Sequence, residues 1–328
     1  MGTGLLFALA AGLMWGLVFV APLLLADYPA ALLVVGRYLA FGLIALPLAL
    51  IDRRALRSLT RADWWAAVKL SAIGNFLYYF CLAAAIQRAG APLPTVIIGT
   101  LPVVIAITAN LRNQQRDGVL PWRKLLPALG LIAAGIACVN QAELAALGAA
   151  IDLRRYVEGA GLALIALVCW TWYPIRNADW LREHQERSPR VWATAQGLVT
   201  LPMALIALAA LALTQDLTLP AGFALPLGPR PLVFIALMGA LGLFASWLGT
   251  LCWNEASQRL PTALAGQLIV FETLAALAYA FVYAFVIAAT LPPGLTVLGI
   301  ALLIAGVSSA LRIQPQATAA EKRAVSHP

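Results

Sequence analysis

Two charged residues stand where charge is costly. Glu272 lies inside the apolar run Thr262–Val286, and Arg37 lies inside Ala31–Ile51. At 1.5 Å per residue, Glu272 is roughly 15 Å into its run, the depth of a bilayer midplane. An ionised carboxylate there costs at least about 2.5–3.5 kcal/mol, so it is protonated, paired or facing water. Two readings fit. Glu272 is a proton carrier or a ligand for a cationic substrate group, or it is a neutral acid hydrogen-bonded between helices. Arg37, roughly 10 Å into its run, is a counter-ion for a substrate carboxylate or for Glu272, or it snorkels to the outer headgroups. Lys69 is close enough to a run end to snorkel inward, and Glu255 sits at an interface.

Aromatic residues cluster deep within the runs or near the repeat axis: Trp15, Tyr78, Tyr79, Trp170, Trp172, Tyr173, Trp247 and Trp253. Their faces suit flat or cationic ligands, and packing explains them equally. Trp64, Trp65, Trp122 and Trp192 fall at run ends and read as an interfacial belt. Asn75, Thr100, Gln196, Ser246 and Gln267 are polar groups within runs, fit either for a cavity wall or for interhelical hydrogen bonds. The candidate substrate-binding set is Trp15, Arg37, Asn75, Tyr78, Tyr79, Thr100, Trp172, Tyr173, Ser246, Trp247, Gln267 and Glu272, with Glu272 the proton-coupling candidate. Gly12, Gly16, Gly239, Gly242 and Gly249 read as close helix contacts. No Walker A run, His-rich cluster, paired carboxylates or Ser/His/Asp set occurs, so the expectation is no enzyme, no cofactor and no metal.

The elements that must position these residues follow from composition. Of 328 residues, 62% are hydrophobic and 11% charged, with a mean hydropathy of +0.87. Soluble domains carry about 25% charged residues, so a water-soluble globule is excluded, and so is disorder. The net charge of +8 sits in short clusters between apolar runs, the pattern of membrane-protein loops rather than nucleic-acid binding. Cys81, Cys138, Cys169 and Cys252 lie within apolar runs and read as buried thiols. The first run, from about Gly4 to Leu25, is too long for a signal-peptide core and reads as a retained span.

Ten runs of spanning length occur. After Gly4–Leu25 come Ala31–Ile51, Trp64–Ala85, Leu93–Leu111 and Leu125–Val139. Then follow Gly161–Ala178, Val191–Leu213, Leu232–Trp253, Thr262–Val286 and Leu295–Leu311. The fourth, fifth and sixth are short, with Pro102, Pro127 and Pro174 as candidate kinks. A shift of 171 sets Cys81 on Cys252, Gln87-Arg88 on Gln258-Arg259 and Gly135 on Gly306. Upstream the shift is 155–157, setting Gly4 on Gly161 and Leu46-Pro47 on Leu201-Pro202. An insertion within Thr214–Arg230 reconciles the two. Five spans per copy is odd, so the second copy is inverted. The outer segments carry Arg88, Arg154, Arg155 and Arg230, while the other loop cations lie on the opposite side, which sets both termini in the cytoplasm.

The Gly-Leu…Trp opening of each copy, Thr100-Leu-Pro-Val-Val104, and Leu298–Val307 together resemble the drug/metabolite transporter superfamily, EamA type, as does the arginine early in span 2. The resemblance covers about Gly4–Leu311. It implies an all-α integral membrane protein of ten transmembrane helices in two inverted five-helix repeats. It also implies a central cavity lined by spans 1–4 and 6–9. The expected division is 1–142 and 159–312 for the repeats, 143–158 for an outer loop and 313–328 for a cytoplasmic tail. The implied function is secondary active export of small organic metabolites or drugs across the bacterial inner membrane, coupled to protons or exchange. Its partners are a small-molecule substrate and the lipid bilayer, without nucleic acid, and a monomer suffices. The rival reading is an integral-membrane lipid-modifying enzyme. Where the family has Glu-Pro in span 9 this chain has Glu272-Thr273, without the proline.

Overall fold

A computed structural model of the chain describes residues 2–112, 121–147, 152–214, 219, 223–260, 268–288 and 293–313. Among these residues every regular element is helical, with no strand. That is the expected outcome in hydrocarbon, where backbone groups must be satisfied within the segment itself. The helices are α1 (Gly2–Leu24), α2 (Ala30–Ile51), α3 (Arg61–Ala89), and α4, which runs in two pieces, Pro92–Gly99 and Leu101–Arg112. Then come α5 (Trp122–Leu147), α6 (Leu153–Glu183), α7 (Pro189–Leu213), α8 (Pro231–Arg259), α9 (Val270–Ala288) and α10 (Gly294–Leu311). Seven helices are long and apolar enough to cross a membrane, and two shorter apolar stretches lie at Leu93–Ile105 and Gly294–Gly306.

The helix ends are written in the sequence. Pro92, Pro189 and Pro231 open α4, α7 and α8, where a missing N–H is harmless. Thr60 and Asp63 cap α3 reciprocally: the Thr60 hydroxyl accepts from the Asp63 N–H, and the Asp63 carboxylate accepts from the Thr60 N–H. Asp152 caps α6 by accepting from the Arg155 N–H.

Two of the three expected short helices are not short. α5 has 26 residues and α6 has 31. Hydropathy stopped at Gly161 because Arg154, Arg155 and Glu158 fill the first turns of α6, yet the Asp152 cap starts the helix there. Pro127 and Pro174 lie inside continuous helices, while α4 breaks at Thr100, just before Pro102.

Polarity is inverted relative to a water-soluble protein. Leu50, Ile206 and Leu232 face outward at 70–81% exposure, while Asn177, Gln196, Asn254 and Glu272 are wholly buried. α2 lies antiparallel along α7, with Gly42 against Leu201 and Gly197 against Ala45. α5 lies antiparallel along α10, with Gly135 against Gly299 and Gly306 against Ala128. Gly12 and Gly16 mark a close helix contact, as their spacing predicts, and the partner is α9, which runs parallel to α1. Gly242 meets Ala40 and Gly249 meets Trp15, but Gly239 faces open space and marks no contact. α3 and α8 each widen into a π-helical stretch, at Ser71–Leu77 and Leu241–Leu248. The four cysteines are free, Cys81 and Cys169 fully buried and Cys138 and Cys252 partly so.

Candidate functional site

Glu272 stands in the first turn of α9. A Cβ on Gly12 would lie 2.9 Å from the Glu272 backbone nitrogen, so only glycine lets α1 approach this closely. The carboxylate accepts hydrogen bonds from the Tyr78 hydroxyl (3.2 Å) and the Trp170 indole N–H (2.8 Å). Tyr78 comes from α3, immediately after its π-helical stretch, and Trp170 from α6. The Trp170 ring stacks on Tyr78 at 4.5 Å and on Tyr173 at 5.0 Å, and its edge meets Trp15 at 4.9 Å. The wall around Glu272 is therefore aromatic, with two fixed donors and, among the described residues, no cation bonded to it.

Arg37, on α2, is equally buried at 4% exposure. It does not snorkel. Its Nε donates to Ser246 Oγ and its Nη2 to the Ala245 carbonyl, both at 3.0 Å and both on α8. The guanidinium lies 4.5 Å from the Tyr79 ring centre and 5.0 Å from that of Tyr38, a cation–π arrangement. Among the described residues its Nη1 has no hydrogen-bond partner, nor do the Tyr38 hydroxyl, the Tyr79 hydroxyl and the Asn75 Nδ2. Asn75 is one turn before Tyr79 on α3. A buried polar group left unbonded costs about 1–3 kcal/mol, so these four on α2 and α3 leave this part of the packing with unmet hydrogen-bonding capacity. The donors can meet an acidic group.

Below Tyr173 an amide network runs away from the charges. The Tyr173 hydroxyl donates to Gln196 Oε1 (2.8 Å), and Gln196 Nε2 and the Trp192 indole both donate to Asn177 Oδ1. Asn177 Nδ2 donates to Asn254 Oδ1 (2.8 Å). Trp192 stacks on Trp180 at 3.5 Å, and the Trp180 indole donates to Asp63. This end is closed further by ion pairs of Arg190 with Asp52 and of Arg112 with Asp179. The opposite end is closed by Arg230 with Asp27, and the Tyr28 hydroxyl donates to the Leu227 carbonyl and accepts from the Arg230 N–H. The hydrogen bond from Arg230 holds the Asp27 carboxyl below the usual carboxylate range.

Residues 2–141 match the family described as EamA-like transporter family. The inner membrane protein YtfF of Escherichia coli (strain K12) is 55% identical over 314 residues, 96% of each chain. The chain belongs to the EamA-like transporter family. It is a multi-pass protein of the inner membrane and of a transporter family. A crystal structure with 18% identity superposes with a TM-score of 0.64, covering 94% of this chain and 96% of its own, a likeness of fold.

In this EamA-like chain the structure brings together Trp15, Tyr78, Tyr173 and Glu272 in one group and Arg37, Asn75, Tyr79 and Ser246 in another. Trp172 points away from both and stands half-buried among Leu70, Val168 and Arg176. The Trp247 indole donates to Thr194 Oγ1 (3.3 Å), and the Thr100 hydroxyl donates to the Ile97 carbonyl of its own helix. Gln267 lies outside the described residues. Trp192 is no belt residue; it is fully buried, because Asn177 binds its indole and Trp180 covers its face. Sequence reading missed Tyr38, Asn177, Trp180, Asn254 and Asp63. Tyr38 had one signal, its position beside Arg37.

Proposed function

We propose that the protein is a secondary active transporter that exports small organic metabolites bearing an acidic group, by alternating access between two inverted halves, 1–142 and 159–312. The observation that carries this reading is the pair of buried opposite charges, Arg37 with an unbonded N–H and Glu272 within a ring of aromatic donors. A coupled carrier needs a site for the solute and a group that can take and release a proton.

The inverted ten-helix arrangement rests on repeated contacts. With the shift of 171, the Gly135 contacts with Gly299 and Leu303 correspond to the Gly306 contacts with Ala128 and Ile132. The π-helical stretches at Ser71–Leu77 and Leu241–Leu248 occupy equivalent positions. Gln87 at the end of α3 donates to the Tyr28 carbonyl, and Gln258 at the end of α8 donates to the Arg187 carbonyl. Each glutamine ties down the loop between the first two helices of its own half. With both termini cytoplasmic, those loops lie on opposite faces.

Labelled organic acids, amino-group-bearing acids and cationic dyes loaded into proteoliposomes test the function directly. Efflux of an acid-bearing solute that depends on a pH gradient or on exchange is the expected result. Absence of such flux for every class would overturn the proposal.

A further inference from the structure

A second site lies apart from the buried charges, at the inner ends of α3, α4 and α6. A cleft of about 660 Å³ opens there, with Lys69, Arg112 and Arg176 at its rim and Val104, Leu167 and Val168 on its wall. Thr108 and Thr171 also line it, but their hydroxyls bond their own helix carbonyls, Val104 and Leu167. The polarity of the cleft therefore comes from the cations. Arg112 and Arg176 share Asp179, at 2.9 and 3.6 Å, and Lys69 has no carboxylate partner among the described residues. Glu183 and Asp179 line the adjoining pocket beside Lys69 and Arg176, so three cations face two carboxylates and the rim keeps a net positive charge.

The cleft does not stop at the rim. It meets a second, wholly apolar groove of about 500 Å³ at Val168 and Trp172, which continues between Ile73 and Leu77 of α3 and Leu164 and Ile165 of α6. The groove follows α3 from Lys69 to Leu77, from headgroup level toward the midplane. Val168 is 68% exposed and Leu164 53%, so the groove opens sideways to the acyl chains. A soluble anion would need the basic rim alone. A basic rim continuous with a lateral apolar groove matches a molecule with a phosphate head and a hydrocarbon tail. The cytoplasmic leaflet carries anionic lipids, and basic pockets between helices on that side hold their headgroups.

We propose that this cleft binds one anionic glycerophospholipid of the inner leaflet, its phosphate at Lys69 and Arg176 and an acyl chain along Val168, Leu164 and Leu77. The site is independent of the buried charges and of the proposed transport cycle.

Native mass spectrometry of the full-length protein in detergent tests it, with added dioleoyl-phosphatidylglycerol or dioleoyl-phosphatidylcholine. The expected result is selective retention of one phosphatidylglycerol. The double variant Lys69→Gln/Arg176→Gln should weaken retention roughly fivefold for each charge removed. Val168→Trp, which fills the groove with the charges intact, should weaken it as well. Both changes are at exposed positions, and an unchanged melting temperature confirms folding; if the double variant unfolds, Val168→Trp alone decides. Equal retention of the two lipids would overturn the proposal, as would unchanged retention in Val168→Trp. So would displacement of the lipid by millimolar inorganic phosphate, which would mark a soluble-anion pocket.

Discussion

Glu272 and Arg37 are both buried, both charged residues by type, and both near the centre of the helix packing, yet they are treated in opposite ways. Glu272 is given two donors, Tyr78 and Trp170, and a rigid aromatic wall. Arg37 is held by one hydroxyl and one carbonyl of α8, with an N–H left over and three unbonded polar groups on α2 and α3. A carboxylate already bonded by the protein needs no ligand to hold it in place, which suits the proton-coupling role proposed for Glu272. A guanidinium left unsatisfied is suited to something that arrives. Burial alone does not separate the two residues; the count of unmet hydrogen bonds does.

The sharpest way to break this contrast is to neutralise each member. Glu272→Gln is expected to keep expression and folding but to abolish pH-gradient-driven flux while exchange persists. An unchanged pH dependence in proteoliposomes would make Glu272 a structural hydrogen-bonding residue. Arg37→Gln is expected to raise the KM for acid-bearing solutes by tenfold or more, and Arg37→Lys should not restore it, because an ammonium cannot reproduce the planar fork. A rise in KM for cationic solutes alone would reverse the assignment.

A smaller effect tests what holds the satisfied member in place. Gly12→Val puts a Cβ within 2.5 Å of Phe271 Cβ, and overpacking of this kind costs on the order of 1–3 kcal/mol. A lowered melting temperature with weakened gradient-driven transport is expected. An unaltered melting temperature would mean that α1 does not position Glu272.

Smaller still, two tyrosines sharpen the contrast between bonded and unbonded hydroxyls. Tyr173→Phe removes the donor to Gln196 and should cost about 1 kcal/mol of stability. Tyr79→Phe removes a hydroxyl without a partner and should leave stability unchanged or improved while weakening solute affinity a few-fold. Equal melting temperatures for the two variants would contradict the comparison.

The least effect belongs to the exposed outer pair. Asp27 has its carboxyl lowered by Arg230, so its contribution is present above the unfolded value near 3.9 and is lost as pH falls through the lower folded value. Between pH 5 and 8 the outer closure is therefore insensitive to pH. Asp27→Asn should leave the melting temperature within about a degree at high salt, where exposed pairs are screened. A large loss at neutral pH would show that Arg230 is more than a surface clamp.

The all-helical membrane architecture was legible because composition leaves no other way to satisfy the backbone. Glu272 and Arg37 were legible because a charge in an apolar run stands out, and Tyr78, Tyr79 and Tyr173 because they sit close to such runs' centres. Trp192, Trp180, Asp63 and Asn177 were not, because residues near a run's end are explained equally well by the interface, and hydropathy does not say which way an indole faces. Trp172 was drawn into the site by its neighbours Trp170 and Tyr173, although two residues along a helix place it on another face. The π-helical stretches left no mark in hydropathy, and the charged first turns of α6 hid its true start.

The paired glycine contacts between α5 and α10 carry a thermodynamic consequence. If the two halves exchange roles, the contact of Gly135 with Gly299 becomes that of Gly306 with Ala128, so the seam has nearly the same energy before and after. It cannot favour one open state over the other. Arg37 and Glu272 correspond in register to Trp192 and Leu101, and for them the exchange is not neutral. In the proposed transport cycle the seam is thus an unweighted pivot, and the tilt of the balance between inward and outward openings comes from the few positions where the two copies no longer agree.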